Sequence, residues 1–136
     1  MKVYLAGPIN GRTDADCKGW REVATGFLGA ENVIDPMRND YRGREFEPGI
    51  ATVIVERDKA DIQMCTAMLV YFDAPSVGTA MEILWGWQIG RPVYVVNASG
   101  RPPSPWLVYH SHLITSNLND ALYAIDDRHS RIGGSS

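Results

Sequence analysis

Short, wholly apolar runs alternate with helix-length segments along this chain, and that alternation restricts its fold more than any other feature. Val3 to Ala6, Asn32 to Ile34, Ala67 to Phe72, Pro92 to Val96 and His112 to Thr115 read as strands. The clearest of them are apolar at consecutive positions, not at every second one, which means burial on both faces. Between them, Asp14 to Leu28, Gly49 to Gln63, Pro75 to Ile89 and Leu118 to Ile125 carry helical spacing. In the first of these segments Trp20, Val23, Ala24, Phe27 and Leu28 recur at three- and four-residue steps, as one buried helix face would. Strands buried on both sides and separated by helices make a parallel sheet covered by helices on each face.

The expectation is therefore a single α/β domain, with a five-stranded parallel sheet of flavodoxin-like or Rossmann-like type and helices on both faces. It spans residues 1–127, and residues 128–136 read as a flexible C-terminal tail. The chain's 136 residues are one domain's worth at about 100–200 residues per domain, and 45% apolar content fills a core without staples. Cys17 and Cys65 form neither a metal spacing nor a disulfide framework, and Met1 to Gly7 reads as a strand in place of a signal peptide. No apolar run approaches the roughly 18–20 residues needed to cross a bilayer. A cytoplasmic setting without membrane contact is expected. The net charge of −3 argues against a nucleic-acid polymer as partner, since duplex binders carry a basic face. A small phosphorylated ligand needs only a few donors.

In open parallel sheets the ligand sits at the carboxyl ends of the strands. That directs attention to Gly7, Pro8, Ile9, Asn10 and Arg12, to the stretch from Asp73 to Gly78, and to the loop after Val96. Glu82 is the only charge in the segment Thr79 to Ile89 and shares a helix face with Trp85, Gly86 and Ile89. A carboxylate aimed at apolar surroundings is costly unless it is bonded or used. A carboxylate favoured by the helix dipole would look the same from sequence. Asp58 neighbours Ile54, Val55 and Ile62 at helical spacing, and its ordinary explanation is a border residue paired with Lys59 or Arg57. Pro75-Ser-Val-Gly-Thr opens the Glu82 helix with small residues and free amides, a natural anion site, with Ser76 and Thr79 adding hydroxyls. Ser76 is equally an ordinary N-cap. Gly78 inside the first turn points to close approach by a ligand or by another backbone. The loop holding Arg38, Tyr41 and Arg42 could bring guanidinium forks to a phosphate or a base edge, or lie solvated. His110 and His112 lack a third partner at zinc spacing, and no Walker A loop or dinucleotide glycine fingerprint is present, so neither metal nor cofactor is expected.

Taken together, these segments resemble the nucleoside 2-deoxyribosyltransferase family, which includes deoxynucleoside 5′-monophosphate N-glycosidases. The matching pieces are Val3-Tyr-Leu-Ala-Gly-Pro, Asp35-Pro-Met-Arg with Asp40-Tyr-Arg-Gly, Glu56-Arg-Asp-Lys-Ala-Asp-Ile, and Pro75-Ser-Val-Gly-Thr-Ala-Met-Glu followed by Gly90-Arg-Pro-Val. The likeness runs from about residue 2 to residue 97. It implies that Glu82 attacks the anomeric carbon of the sugar, Asp58 helps protonate the leaving base, and Tyr4 orients Glu82. It further implies that Ser76 and Gly78 hold a 5′-phosphate. Family members that act on free nucleosides often carry an aspartate in that loop, and this chain has none between Ala74 and Glu82. It departs from the hydrolase branch at Asn10, where an arginine is usual, with Arg12 two places on. Thr66 stands where the family has an aspartate.

Residue chemistry supplies the mechanism expected. Cleavage builds oxocarbenium character that a carboxylate stabilises or captures. Retaining glycosidases set two carboxyls about 5–5.5 Å apart, and a comparable approach of Glu82 and Asp58 is expected. Asp58 should hold its proton more readily than in water, because its neighbours are apolar. Water as acceptor makes a hydrolase, and a second base makes a transferase. A non-catalytic nucleotide-binding domain on the same fold, or a glycohydrolase of a larger nucleotide such as NAD, are the alternatives. The resemblance also implies a homo-oligomer, dimer or higher. Trp85 and Trp87 suit either an exposed association face or core packing.

Overall fold

The structure, a computed structural model, describes residues 1–133, with side chains as far as Arg131. Its strands are β1 (Val3–Ala6), β2 (Val33–Ile34), β3 (Ala67–Phe72), β4 (Val93–Asn97) and β5 (Leu113–Thr115). All pair in parallel, in the order β2-β1-β3-β4-β5. This is the flavodoxin-like order of a doubly wound sheet. The helices are α1 (Asp14–Leu28), α2 (Ile50–Met64), α3 (Val77–Gln88), α4 (Pro105–Tyr109) and α5 (Leu118–Gly133).

The strand period of two sorts the central side chains onto two faces. Val3, Leu5, Ala67, Leu69, Tyr94 and Val96 pack with Trp20, Ala24 and Leu28 of α1 and with Ala121, Leu122 and Ile125 of α5. Tyr4, Ala6, Met68, Val70, Val93 and Val95 pack with Ile62 of α2, Ile83 of α3 and Leu107 of α4. Tyr4 therefore rises from the centre of the sheet on the side that α2 and α3 cover. Cys17 and Cys65 are buried and unpaired. Among the described residues no helix is long and apolar enough to cross a membrane.

Three elements depart from the expected pattern. On α1 the buried residues are Cys17, Trp20, Arg21, Ala24 and Leu28, while Val23 and Phe27 are 53% and 39% exposed. The helix is turned so that Arg21 reaches backbone carbonyls at the end of β1. The short helix α4 was not expected. Ser104 caps it by accepting from the Leu107 amide at 3.2 Å, and Pro105 occupies its first position. Helix α5 continues past Ile125 to Gly133, so residues 128–133 of the expected tail are helical. His129 anchors this extension, bonding Thr66 at 2.8 Å and the Ile125 carbonyl at 2.9 Å. Residues 134–136 of that tail lie outside the described residues.

Candidate active site

From β1 the chain turns outward to β2 and then crosses back to β3, so the connections leaving β1 and β3 diverge and open a crevice. That crevice is a cleft of about 390 Å³, a size suited to a small molecule. One wall is the β1 exit: Gly7, Pro8, Ile9, Asn10 and Arg12. Gly7 leaves little room there: a Cβ would sit 3.0 Å from both the Trp20 ring and the Tyr71 carbonyl, and one of them would have to give way. The opposite wall is the β3–α3 turn from Ala74 to Thr79. Ile54, Arg57, Asp58 and Asp61 of α2 close one end, together with Pro36, Asn39 and Tyr41. Tyr4, Arg21 and Glu82 also line the cleft.

Three of the expected residues meet at one point. The fully buried Tyr4 donates its hydroxyl to the Glu82 carboxylate. Asp58 lines the same cleft, near enough for the Tyr4 hydroxyl to favour its ionised form. Burial, and then the charge of Asp58, push the Glu82 carboxyl up to about 8. Burial, and then the charge of Asp61, push Asp58 up to about 6. The Tyr4 hydroxyl works against both shifts by favouring the ionised forms, and its own pKa is driven upward by burial and by the two carboxylates. Near neutral pH the pair holds one proton between its members. With that proton on Asp58 the pair supplies a nucleophile and an acid at once, although burial favours it on Glu82. Asp58 is not a border residue paired with its neighbours: Lys59 lies 4.7 Å over the Trp85 ring, and Arg57 donates to the Tyr41 hydroxyl at 2.7 Å.

Ser76 caps α3, accepting from the Thr79 amide at 3.3 Å. The amides of Val77 and Gly78 precede the first intrahelical bonds, and both residues line the cleft. A Cβ on Gly78 would meet nothing within 4 Å, so no protein backbone makes the close approach expected there. Thr79 is 2% exposed. Arg12 and Asp73 form an ion pair of 2.5 Å that ties the β1 exit to the β3–α3 turn.

The arginine loop divides. Tyr41 lines the cleft, whereas Arg38 and Arg42 do not. Arg38 donates from Nη2 to both Asp61 carboxylate oxygens at 2.7 and 2.8 Å, and Arg42 bonds Asp40, Asp14 and the Arg12 carbonyl. These bonds pin the loop to its neighbours and leave both guanidinium groups committed to carboxylates. The loop after Val96 is also outside the cleft; there Asn97 folds back onto Ser99 and Arg101. Among the cleft residues that sequence reading missed are Arg21, Asn39, Arg57 and Asp61. Arg21 had one signal, a charge four residues from both Cys17 and Thr25 and three from Ala24, inside the stripe that α1 buries. Among the described residues no three His, Cys, Asp or Glu side chains converge as a metal would require.

The family model for nucleoside 2-deoxyribosyltransferase matches residues 3–122, from β1 into α5. Among solved structures, the chain is similar to a 2-deoxyribosyltransferase from the psychrotolerant bacterium Bacillus psychrosaccharolyticus, with a TM-score of 0.74 at 21% identity over 90% of each chain. It is similar to a CMP N-glycosidase of Clostridium botulinum, with a TM-score of 0.62 at 18% identity over 93% of this chain and 99% of that one. A conserved protein from Enterococcus faecalis V583 superposes with a TM-score of 0.74 at 17% identity, over 94% of this chain and 98% of that one. No curated protein sequence matches the chain. At such identities the structural likeness speaks for the fold alone, and the match over residues 3–122 decides the lineage. The chain belongs to the nucleoside 2-deoxyribosyltransferase family.

Proposed function

We propose that this protein cleaves or exchanges the N-glycosidic bond of a 2′-deoxynucleoside or its 5′-monophosphate through a covalent deoxyribosyl–Glu82 intermediate. The observation that carries this reading is the meeting of Tyr4, Asp58 and Glu82 in one cleft of a chain from this family. The Glu82 carboxylate attacks C1′ as the bond to the base breaks, and Asp58 delivers its proton to the departing base. Tyr4 holds the attacking oxygen in line. Water or the N–H of a second base then attacks C1′, gives its proton to Asp58 and takes the sugar from Glu82, restoring both carboxyls to their starting forms. The open amides of Val77 and Gly78, with Ser76 beside them, suit a 5′-phosphate at the start of α3. Arg12 stands across the cleft mouth, held by Asp73.

The test is a panel of deoxynucleosides and deoxynucleotides, with CMP and NAD as ribose controls, incubated with and without a second free base and read by HPLC. Base release or exchange from a deoxy substrate is expected, and Glu82→Ala should abolish it while circular dichroism stays unchanged. Base release by that variant at the wild-type rate would rule out the covalent route. Self-association belongs to the same reading. Val77, Met81 and Leu84 on α3 and Trp106 and Tyr109 on α4 leave apolar surface exposed. Light scattering on an eluting peak should give a mass above the 15.1 kDa of one chain.

A further inference from the structure

Arg21 is 1% exposed, and it carries a guanidinium into the packing between α1 and the sheet. Nη1 donates to the Cys17 carbonyl at 2.6 Å, and Nη2 reaches the carbonyls of Leu5 and Gly7 at 3.3 Å each. Nε has no hydrogen-bond partner and stands 3.6 Å from the Asp35 carboxylate. The guanidinium carbon lies 4.6 Å from the centre of the Trp20 ring. Taking a guanidinium out of water is costly, and the core of α1 would close over an apolar residue without that cost. The two carbonyls it grips end β1 and begin the loop that walls the cleft. Arg21 also lines the cleft beside Glu82 and Tyr4.

The charges around Glu82 single out this cation. Tyr4 faces it from β1, and Asp58 and Asp61 lie along α2. Arg38 is engaged by Asp61 and Arg12 by Asp73, while Arg57 is bonded to Tyr41. Arg21 has only the long contact to Asp35, and its charge favours the ionised form of Glu82.

We propose that Arg21 is a positioning residue for the Glu82 site: its fork fixes the β1 exit at Leu5 and Gly7, and its charge, lining the same cleft as Glu82, favours the carboxylate that attacks. The proposal rests on the glycosyl-transfer reading above, and its test separates the two. The Glu82 carboxyl is titrated without substrate, by infrared difference between each protein and the same protein carrying Glu82→Gln. Arg21→Gln should raise the Glu82 midpoint. Asp35→Asn keeps the oxygen that accepts from the Met37 amide but frees the guanidinium's charge, so the midpoint should fall. Arg21→Lys keeps the charge without the fork, leaving the midpoint in place while KM rises. Midpoints unmoved in Arg21→Gln, or in Asp35→Asn where Arg21→Gln does not fold, overturn the electrostatic role. An unchanged KM in Arg21→Lys overturns the grip on the loop. If the wild-type protein releases no base, the glycosyl-transfer reading fails, and the titration still decides whether Arg21 governs Glu82.

Discussion

Glu82 is held where a carboxylate is least at ease. Its carboxyl rises from an ordinary 4.5 to about 8 on folding, chiefly through burial. The folded state therefore binds this proton more tightly than the unfolded chain does. The stability that follows is fully present below about pH 4.5 and is lost as pH rises through 8. Glu82→Gln removes the ionisable group while keeping its shape. At pH 9 the variant should melt several degrees above the wild-type protein, and the gap should close by pH 4. Parallel melting curves across that range check this, and a constant gap would mean that Glu82 is not destabilised by burial. Tyr4 offsets part of the strain by donating to the ionised carboxylate. Its neighbours in sequence showed only an apolar strand. The hydroxyl's partner lies 78 positions away, and no local pattern records such a contact.

At the scale of the element, α3 carries both the nucleophile and the anion-facing amides, and Gly78 exposes the tension between stability and binding. Glycine in a helix is worth about 0.5–1 kcal/mol less than alanine. A methyl group there would meet no protein atom within 4 Å, so the fold itself does not demand glycine. Gly78→Ala should raise the melting temperature by a few degrees. It should also raise KM for a 5′-monophosphate several-fold, with less effect on the free nucleoside. Thermal melts and KM values for the two substrates test it, and an equal effect on both substrates would remove the phosphate from this end of the helix. The extents of β1, β3 and α1 were legible because their apolar runs end at Gly7-Pro8, at Asp73 and at Gly29. The rotation of α1 was not. Val23 and Phe27 fit the helical period as well as Cys17 and Arg21 do, and only the carbonyls at the end of β1 decide which set turns inward. Helix α4 is too short to display a period, although Ser104-Pro105 carried its start signal.

At the scale of the molecule, the site is a product of topology. Tyr4, Asp58 and Glu82 belong to β1, α2 and α3, and they meet because β1 and β3 lie side by side at the centre of the sheet, with Tyr4 in register with Met68. The alternation of strands and helices announced the sheet and the end at which a ligand would sit. It did not say which loops would close over that end, and so Arg38 and Arg42 were expected at a cleft that they do not line. The shared proton reports on the whole arrangement, since each member of the cluster comes from a different element. With both carboxyls protonated there is no nucleophile, and with both ionised there is no acid for the leaving base. Activity therefore belongs to the form with one proton. The kcat/KM profile for base release should be bell-shaped, with an acid limb near 6 and an alkaline limb near 8. Asp58→Asn removes both the acid and the charge that raises Glu82. Its profile should lose the alkaline limb, and its remaining limb, the ionisation of a still-buried Glu82 beside a neutral neighbour, should lie below 8 but not below the wild-type acid limb. Wild-type activity that climbs without a maximum between pH 5 and 9 would mean that the two carboxyls titrate apart and that the leaving base draws its proton from elsewhere.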